Sequence, residues 1–317
     1  MQHTTNSGKN LVPATPDTIG RAAELLRRGG LVAFPTETVY GLGAHALDAA
    51  AVRRIFAAKQ RPAWDPLIVH VTGTPMAETL ADCLPALFYE LAAKFWPGPL
   101  TLVVRRRPIV PDEVTAGLPT VALRQPRHPV AAALLAAANV PVAAPSANLF
   151  GRPSPTRAEH VASDLGDRVD LILDGGPTDV GVESTILDLT QNPPVILRPG
   201  GVPAEQLNHA PIAPAVADAP VRAPGMTLRH YSPRTPIELF ESEAALQARA
   251  RQIPQAGILR PTAETLYEEL RRLDQAGIPV ILALLPPPGG LGTALRDRLF
   301  RAAGQPPRFD QLPPTGR

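Results

Sequence analysis

Lys59-Gln60-Arg61-Pro62 sets two cations two positions apart, in a chain with 28 arginines and only three lysines. Pro62 biases Arg61 away from helical backbone, so the preceding helix is expected to stop short and leave Lys59 and Arg61 in extended chain. Alternate residues of an extended segment point the same way, which would present both charges on one side. Lysine is a compact point charge and arginine a planar fork that grips oxygens in pairs; together they suit a polyphosphate. The same pair also suits a solvated helix end, stabilised by the helix dipole.

Other candidate ligands stand at strand ends. Pro145-Ser146-Ala147-Asn148 follows the apolar run at 140–144. The carboxyl edge of a strand is where open α/β sheets bind ligands, and Ser146 and Asn148 can donate to phosphate or sugar. A plain polar turn would read the same way. "PTETVYGLG" (35–43) is a second polar loop at a strand end, with Thr36 and Thr38 as possible ligands and Gly41 and Gly43 allowing close backbone approach. Arg124 ends "TVALR" and Arg198 ends "PVILR"; each alone reads equally as a surface charge.

The elements that must position these residues follow from periodicity and punctuation. Helices are predicted over 18–28 (Asp17 as cap, Gly29-Gly30 as stop), 48–58, 85–95 and 128–138, with another opened by a Thr156–Glu159 capping box. Strands are predicted at "LVAF", "LIVHV", "PLTLVVR", "TVALR", "VPVAA", "DLILDGG", "STILDL" and "PVILR". This is a mixed α/β domain over residues 1–201. Residues 202–235 start as a proline-rich, aperiodic segment that reads as an extended linker. Strand and helix then alternate from 237 to 303, predicting a small parallel-sheet α/β domain over 236–317 that ends in a loose tail.

Composition is that of an ordinary globular protein: 44% hydrophobic, 19% charged, net charge +2. The single cysteine, Cys83, excludes an intramolecular disulfide and a cysteine-based zinc site. The N-terminus has no apolar core of a signal peptide, and no stretch is long enough to span a bilayer. The reading is a cytoplasmic protein with no membrane partner.

The blocks "PTETVYGLG", "KQRP…PLIVHV", "FWPGPLTLVV", "VALRQP", "APSANLFGRPSPT" and "GVESTILDL" occur in that order, and "APGMTLRHYSP" precedes the second α/β region. With these the chain resembles the YrdC-like family of L-threonylcarbamoyladenylate synthases, in their long two-domain form, over nearly its whole length. The resemblance implies a YrdC-like mixed twisted sheet with helices, plus a smaller Rossmann-like C-terminal domain. It implies synthesis of threonylcarbamoyl-AMP and pyrophosphate from L-threonine, bicarbonate and ATP. Mg2+ would be held mainly through ATP phosphates. The product would pass to the tRNA threonylcarbamoyl transferase machinery, which modifies the adenosine beside the anticodon; direct tRNA contact is not required.

Carried over by motif, Lys59, Arg61, Ser146 and Asn148 match the family's nucleotide-binding set, with Lys59 and Arg61 as the catalytic cations. Thr115, Ser154, Arg198 and Tyr231 match further nucleotide contacts. Thr36, Arg124, Ala144 and Ser184 match positions on threonine, Arg124 holding its carboxylate. Where the family has His or Asn before the second proline, this chain has Asp65, a carboxylate that would attract the substrate ammonium and repel its carboxylate. Two other functions share such a domain. A carbamoyl-phosphate-dependent carbamoyltransferase normally adds cysteine-rich zinc modules, which are lacking here. An RNA-binding module would call for more basic charge and stacking aromatics than this sequence shows.

Overall fold

The chain is described by a computed structural model over residues 10–208, 210–213 and 221–308. The first nine residues, part of the proline-rich segment and the tail from 309 onward lie outside the described residues. β1 (Leu11–Pro13) leads into α1 (Pro16–Arg27). Thr15, not Asp17, is the cap: its hydroxyl accepts from the Thr18 amide while the Thr18 hydroxyl accepts from the Thr15 amide. Asp17 sits inside the first turn, where its charge favours the helix dipole.

The apolar run becomes β2 (Val32–Pro35), and β3 (Tyr40–His45) folds back on it antiparallel, with Val32 opposite Gly43. The segment read as a glycine loop is therefore half strand. Tyr40, Leu42 and Ala44 are buried at alternate positions. Gly41 and Gly43 masked that pattern, and a Cβ on Gly43 would stand 2.8 Å from Phe34 and Val142.

α2 (Ala49–Lys59) is capped by the Asp48 carboxylate on the amides of Ala50 and Ala51. Its buried Ala51, Val52, Ile55 and Ala58 recur at helical spacing. Next come β4 (Ile68–His70), α3 (Thr74–Leu80), α4 (Ala86–Phe95), β5 (Leu100–Arg105), the short α5 (Asp112–Thr115), β6 (Thr120–Arg124), α6 (Pro129–Ala138) and β7 (Val142–Ala143). α7 (Ala158–Leu165) starts after Arg157 with no side-chain cap, so the Thr156–Glu159 box is not formed; the Thr156 amide points instead at His160 Nδ1, 3.3 Å away. β8 (Leu171–Asp174), β9 (Thr185–Asp188) and β10 (Val195–Arg198) complete a mixed sheet of order β1-β8-β2-β3-β7-β4-β6-β5-β9-β10.

Register decides what meets at the sheet's end. His70 lies opposite Arg124, Thr101 opposite Ile186, and Ile186 opposite Arg198. The last residues of β4, β6 and β10 thus fall near one row across the sheet.

The second unit alternates β11 (Ile237–Phe240), α8 (Glu243–Gln252), β12 (Gly257–Leu259), α9 (Leu266–Gln275), β13 (Ile281–Leu284) and α10 (Leu291–Ala302), with all strands parallel in the order β11-β13-β12. The central strand is apolar throughout, as burial on both faces demands. The linker is not a free tether. Ala204–Leu207 form a helical turn, and Ile212 bridges Ile196 at the edge of the main sheet. No helix among the described residues is long and apolar enough to cross a membrane.

The units meet closely at Gly181, whose φ is +72° and where a Cβ would stand 2.2 Å from the Ala263 carbonyl oxygen. Gly277 has φ +66° with nothing within 4 Å of a Cβ. Gly277→Ala should therefore cost only the left-handed backbone penalty, on the order of 1 kcal/mol. Gly181→Ala should lower the thermal midpoint clearly further, because it also pries the units apart. Equal midpoints for the two variants would contradict this packing.

Candidate active site

Arg61, Arg124 and Arg198 line one cavity at the end of the main sheet, together with Thr36, Thr38, His70, Ala144, Ser146, Glu183, Ser184, Gly225, His230 and Tyr231. The cavity holds about 40 Å³, room for a water or two. Gly225, His230 and Tyr231 form one wall of it.

Arg61 reaches the cavity by a route other than the extended chain read from the sequence. Lys59 is the last residue of α2, and Gln60 adopts a left-handed conformation (φ 53°, ψ 38°). That turn buries both neighbours: Lys59 is 1% exposed and Arg61 7%. Lys59 does not line the cavity. Its ammonium donates to the Ser146 carbonyl and, at 2.5 Å, to that of Asn148, pinning from behind the loop that carries Ser146. Burial pushes the Lys59 pKa well down, and Arg61 pushes it the same way. Arg61 donates to the carbonyls of Asp65 (3.2 Å) and Pro66 (2.8 Å) and ion-pairs with the Asp65 carboxylate at 2.9 Å. Asp65 is fully buried; burial raises its pKa although Arg61 and Lys59 oppose this. It therefore neutralises Arg61 and does not line the cavity.

Arg124 ion-pairs with Glu37 at 2.9 Å. Burial would raise the Glu37 carboxyl, but Arg124 outweighs it and holds the pKa below the usual value. Beside Arg124, His70 is buried, and neither ring nitrogen has a hydrogen-bond partner among the described residues. Burial, then Arg124, lower its pKa to about 3, so the imidazole is neutral at pH 7. Arg198 donates to the Ser184 carbonyl at 2.9 Å, the Ser184 hydroxyl at 3.2 Å and the Pro224 carbonyl at 3.1 Å. Among the described residues neither Arg198 nor Lys59 has a carboxylate at ion-pair distance. Both are buried cations resting on neutral oxygens, an arrangement that favours an anion.

Thr36, Arg61, Arg124, Ala144, Ser146, Ser184, Arg198 and Tyr231, all singled out in the sequence, line the cavity. Lys59, Asp65, Thr115, Asn148 and Ser154 do not line it. The Asn148 amide donates inward to the carbonyls of Leu149 and Arg152, and Thr115 is buried at the end of α5 with its hydroxyl unpartnered. Ser154 donates to Glu183 at 2.5 Å. Sequence reading missed His70, Glu37, Glu183 and His230 as site residues. His70 ends a strand just as Arg124 does, so the same signal would have found it. Nothing local marks the two glutamates, whose partners are distant in sequence.

Residues 24–200 match the Sua5/YciO/YrdC family, described as telomere recombination, and residues 202–304 match the C-terminal domain of threonylcarbamoyl-AMP synthase. A threonylcarbamoyl-AMP synthase of Pyrococcus abyssi is 43% identical over 89% of this chain and 93% of that protein. One of Bacillus subtilis is 42% identical over 90% of this chain and 93% of that protein. The crystal structure of P. abyssi Sua5 complexed with L-threonine superposes with a TM-score of 0.88 at 41% identity, covering 93% of this chain and 96% of that one.

The buried acid in the wall makes stability depend on pH. Burial would raise the Glu183 carboxyl, but Arg298 and then Arg198, with the bond from Ser154, hold it at about 2 against an ordinary 4.5. A carboxyl depressed in the folded state stabilises fully above its unfolded pKa and loses that contribution as pH falls. The window here runs from about 4.5 down to about 2, and the contribution is on the order of 3 kcal/mol. Glu183→Gln should therefore be less stable than wild type at pH 7 by urea unfolding. That gap should shrink by about 2 kcal/mol at pH 3; a gap unchanged at pH 3 would contradict the assignment.

Proposed function

The chain belongs to the Sua5/YciO/YrdC family in its two-domain form, and we infer that it is a threonylcarbamoyl-AMP synthase. The observation that carries this reading at the site is the set of buried cations. Among the described residues Arg198 and Lys59 have no carboxylate at ion-pair distance, while Arg61 and Arg124 hold theirs by single ion pairs that a substrate anion can replace.

The reaction proposed joins L-threonine, bicarbonate and ATP. The threonine amine takes up carbon dioxide from bicarbonate with loss of water, giving a carbamate. A carbamate oxygen then bonds to the α-phosphorus, the bond to the β-phosphate bridging oxygen breaks, and pyrophosphate leaves. Such a step relies on positioning and on charge neutralisation rather than on a strong base. Arg124 would take the threonine carboxylate bidentately, with Glu37 left to receive the ammonium before the amine reacts. Neutral His70 would offer a hydrogen-bond acceptor or donor beside it. Arg198 and Arg61 would face the phosphates, while Lys59 holds the Ser146 loop in register beneath them.

No cluster of three or more His, Cys, Asp or Glu side chains arranged for a metal exists among the described residues. Glu37, Asp65 and Glu183 are each taken up by an arginine. This donor set fits a magnesium ion that arrives on the phosphates. Such an ion would neutralise charge on the departing pyrophosphate. The product, a mixed anhydride, is suited to passing its threonylcarbamoyl group to the adenosine beside a tRNA anticodon. A carbamoyl-phosphate-dependent transferase or an RNA-binding role has no specific observation in its favour.

Pyrophosphate release should require threonine and bicarbonate together and yield threonylcarbamoyl-AMP; release equally fast with either omitted would overturn the reading. Arg124→Ala, made in a Glu37→Gln background so that no buried carboxylate is orphaned, should raise the KM for threonine by about 10–100-fold, the value of a charge-assisted bond. The KM for ATP should move far less, and equal rises would place Arg124 on the nucleotide or in the scaffold.

A further inference from the structure

The wall of the cavity formed by Glu183 and Tyr231 is held by the second α/β unit. Arg298, on α10, is completely buried. Its Nε donates to Glu183 at 2.7 Å, one terminal nitrogen donates to the Pro199 carbonyl at 2.9 Å, and the other pairs with Asp297. Its guanidinium carbon lies 4.9 Å from the centre of the Tyr231 ring, within cation–π range. Tyr267, on α9, directs its one hydroxyl proton at the same carboxylate, its oxygen 2.8 and 2.9 Å from the two glutamate oxygens.

Tyr231 needs such support. Its φ is +60°, a costly backbone for a bulky residue. Its hydroxyl is buried without a hydrogen-bond partner among the described residues. The ring is therefore fixed by what packs on it: His230, Tyr267 and the Arg298 guanidinium.

The three groups that Arg298 grips share a place in the site. Glu183 accepts from Ser154, and it also precedes Ser184, read above as a threonine position; Pro199 immediately follows Arg198; Tyr231 is in the crossing segment that joins the two units. Of these neighbours, Ser154, Arg198 and Tyr231 are the ones read above as nucleotide contacts. None of Arg298's contacts is to Thr36, His70 or Arg124, on the threonine side. A clamp meant only to hold the two units together would not need to stand here. Arg271 with Asp164 at 2.6 Å and Arg152 with Asp274 at 2.9 Å already join the units without lining the cavity, Arg271 also donating to the carbonyls of Pro153 and Ser154.

We propose that Arg298 is a positioning residue for the nucleotide half of the active site: through Glu183, Pro199 and the Tyr231 ring, the C-terminal unit sets where Ser154, Arg198 and Tyr231 stand. The division into halves rests on the function proposed above; the holding of Tyr231 does not.

Arg298→Ala would orphan a buried carboxylate and risk unfolding. The test therefore uses the full-length double variant Arg298→Met/Glu183→Gln, which removes both charges, alongside Arg298→Lys, with folding checked by thermal denaturation. In pyrophosphate-release assays the double variant should raise the KM for ATP about tenfold or more and leave that for threonine within about twofold. Arg298→Lys, which keeps the charge but not the fork, should fall between the double variant and wild type. Hydrogen exchange across residues 222–232, measured without substrates, should be faster in the double variant. Unchanged exchange there overturns the proposal whatever the kinetics. Faster exchange with equal rises in both KM values, or with neither raised, overturns the assignment to the nucleotide half. If wild-type protein releases no pyrophosphate under the full substrate set, the proposed function fails, and the exchange result still decides whether Arg298 holds the wall.

Discussion

A cation taken out of water needs an anion or a dense set of oxygens, and Lys59 and Arg198 are buried with only oxygens of neutral groups within reach among the described residues. Lys59 rests on two carbonyls of the Ser146 loop, and Arg198 on the oxygens of Ser184 and Pro224. Much of the architecture around them serves that need. The left-handed turn at Gln60 ends α2 directly after Lys59, whose ammonium reaches the loop after β7, and redirects the chain to Arg61. The β9–β10 hairpin brings the end of β10 back beside Ser184. The crossing segment supplies the Pro224 carbonyl. Sites built this way hold their positive field before any substrate arrives, which is the form of electrostatic preorganisation that phosphoryl-type transfers use.

The arginines that do have carboxylates follow a second rule. Arg61 with Asp65 and Arg124 with Glu37 are each a single close pair inside the wall. A pair of this kind keeps the guanidinium neutralised and aimed, at the cost of competing with an incoming anion. Asp65 stands where a neutral or weakly basic residue is usual in the resembling family. It is turned onto Arg61 rather than into the cavity. Its effect on substrate therefore runs through that arginine, by tempering its charge and fixing its direction.

The sequence made the strand-end arginines legible because a strand's end and its residue type are both local facts. Arg124 and Arg198 line the cavity for the reason that singled them out, and register does the rest. The Lys59–Arg61 pair was legible as a pair but not in its geometry: proline punctuation suggested extended chain, whereas a left-handed cap lets the helix run one turn position further and buries the lysine. Glycine hid β3, since a strand whose alternate residues are Gly41 and Gly43 shows no alternation. Asn148 carries the right chemistry for a ligand, yet its side-chain nitrogen is spent on the carbonyls of Leu149 and Arg152. Glu183 was the hardest to see. Its importance comes from Arg298, 115 residues away, and no local pattern encodes a contact between two domains.

The central claim is that scaffold anions and carbonyls hold the arginines ready and that substrate anions take their places. A crystal structure of the full chain with L-threonine and a non-hydrolysable ATP analogue tests it most directly. The account predicts the threonine carboxylate on the Arg124 guanidinium at about 3 Å, with phosphate oxygens on Arg198 and Arg61 and the crossing segment moved outward to admit them. Threonine bound away from Arg124, or phosphates held elsewhere with Arg198 still resting only on Ser184 and Pro224, would contradict it.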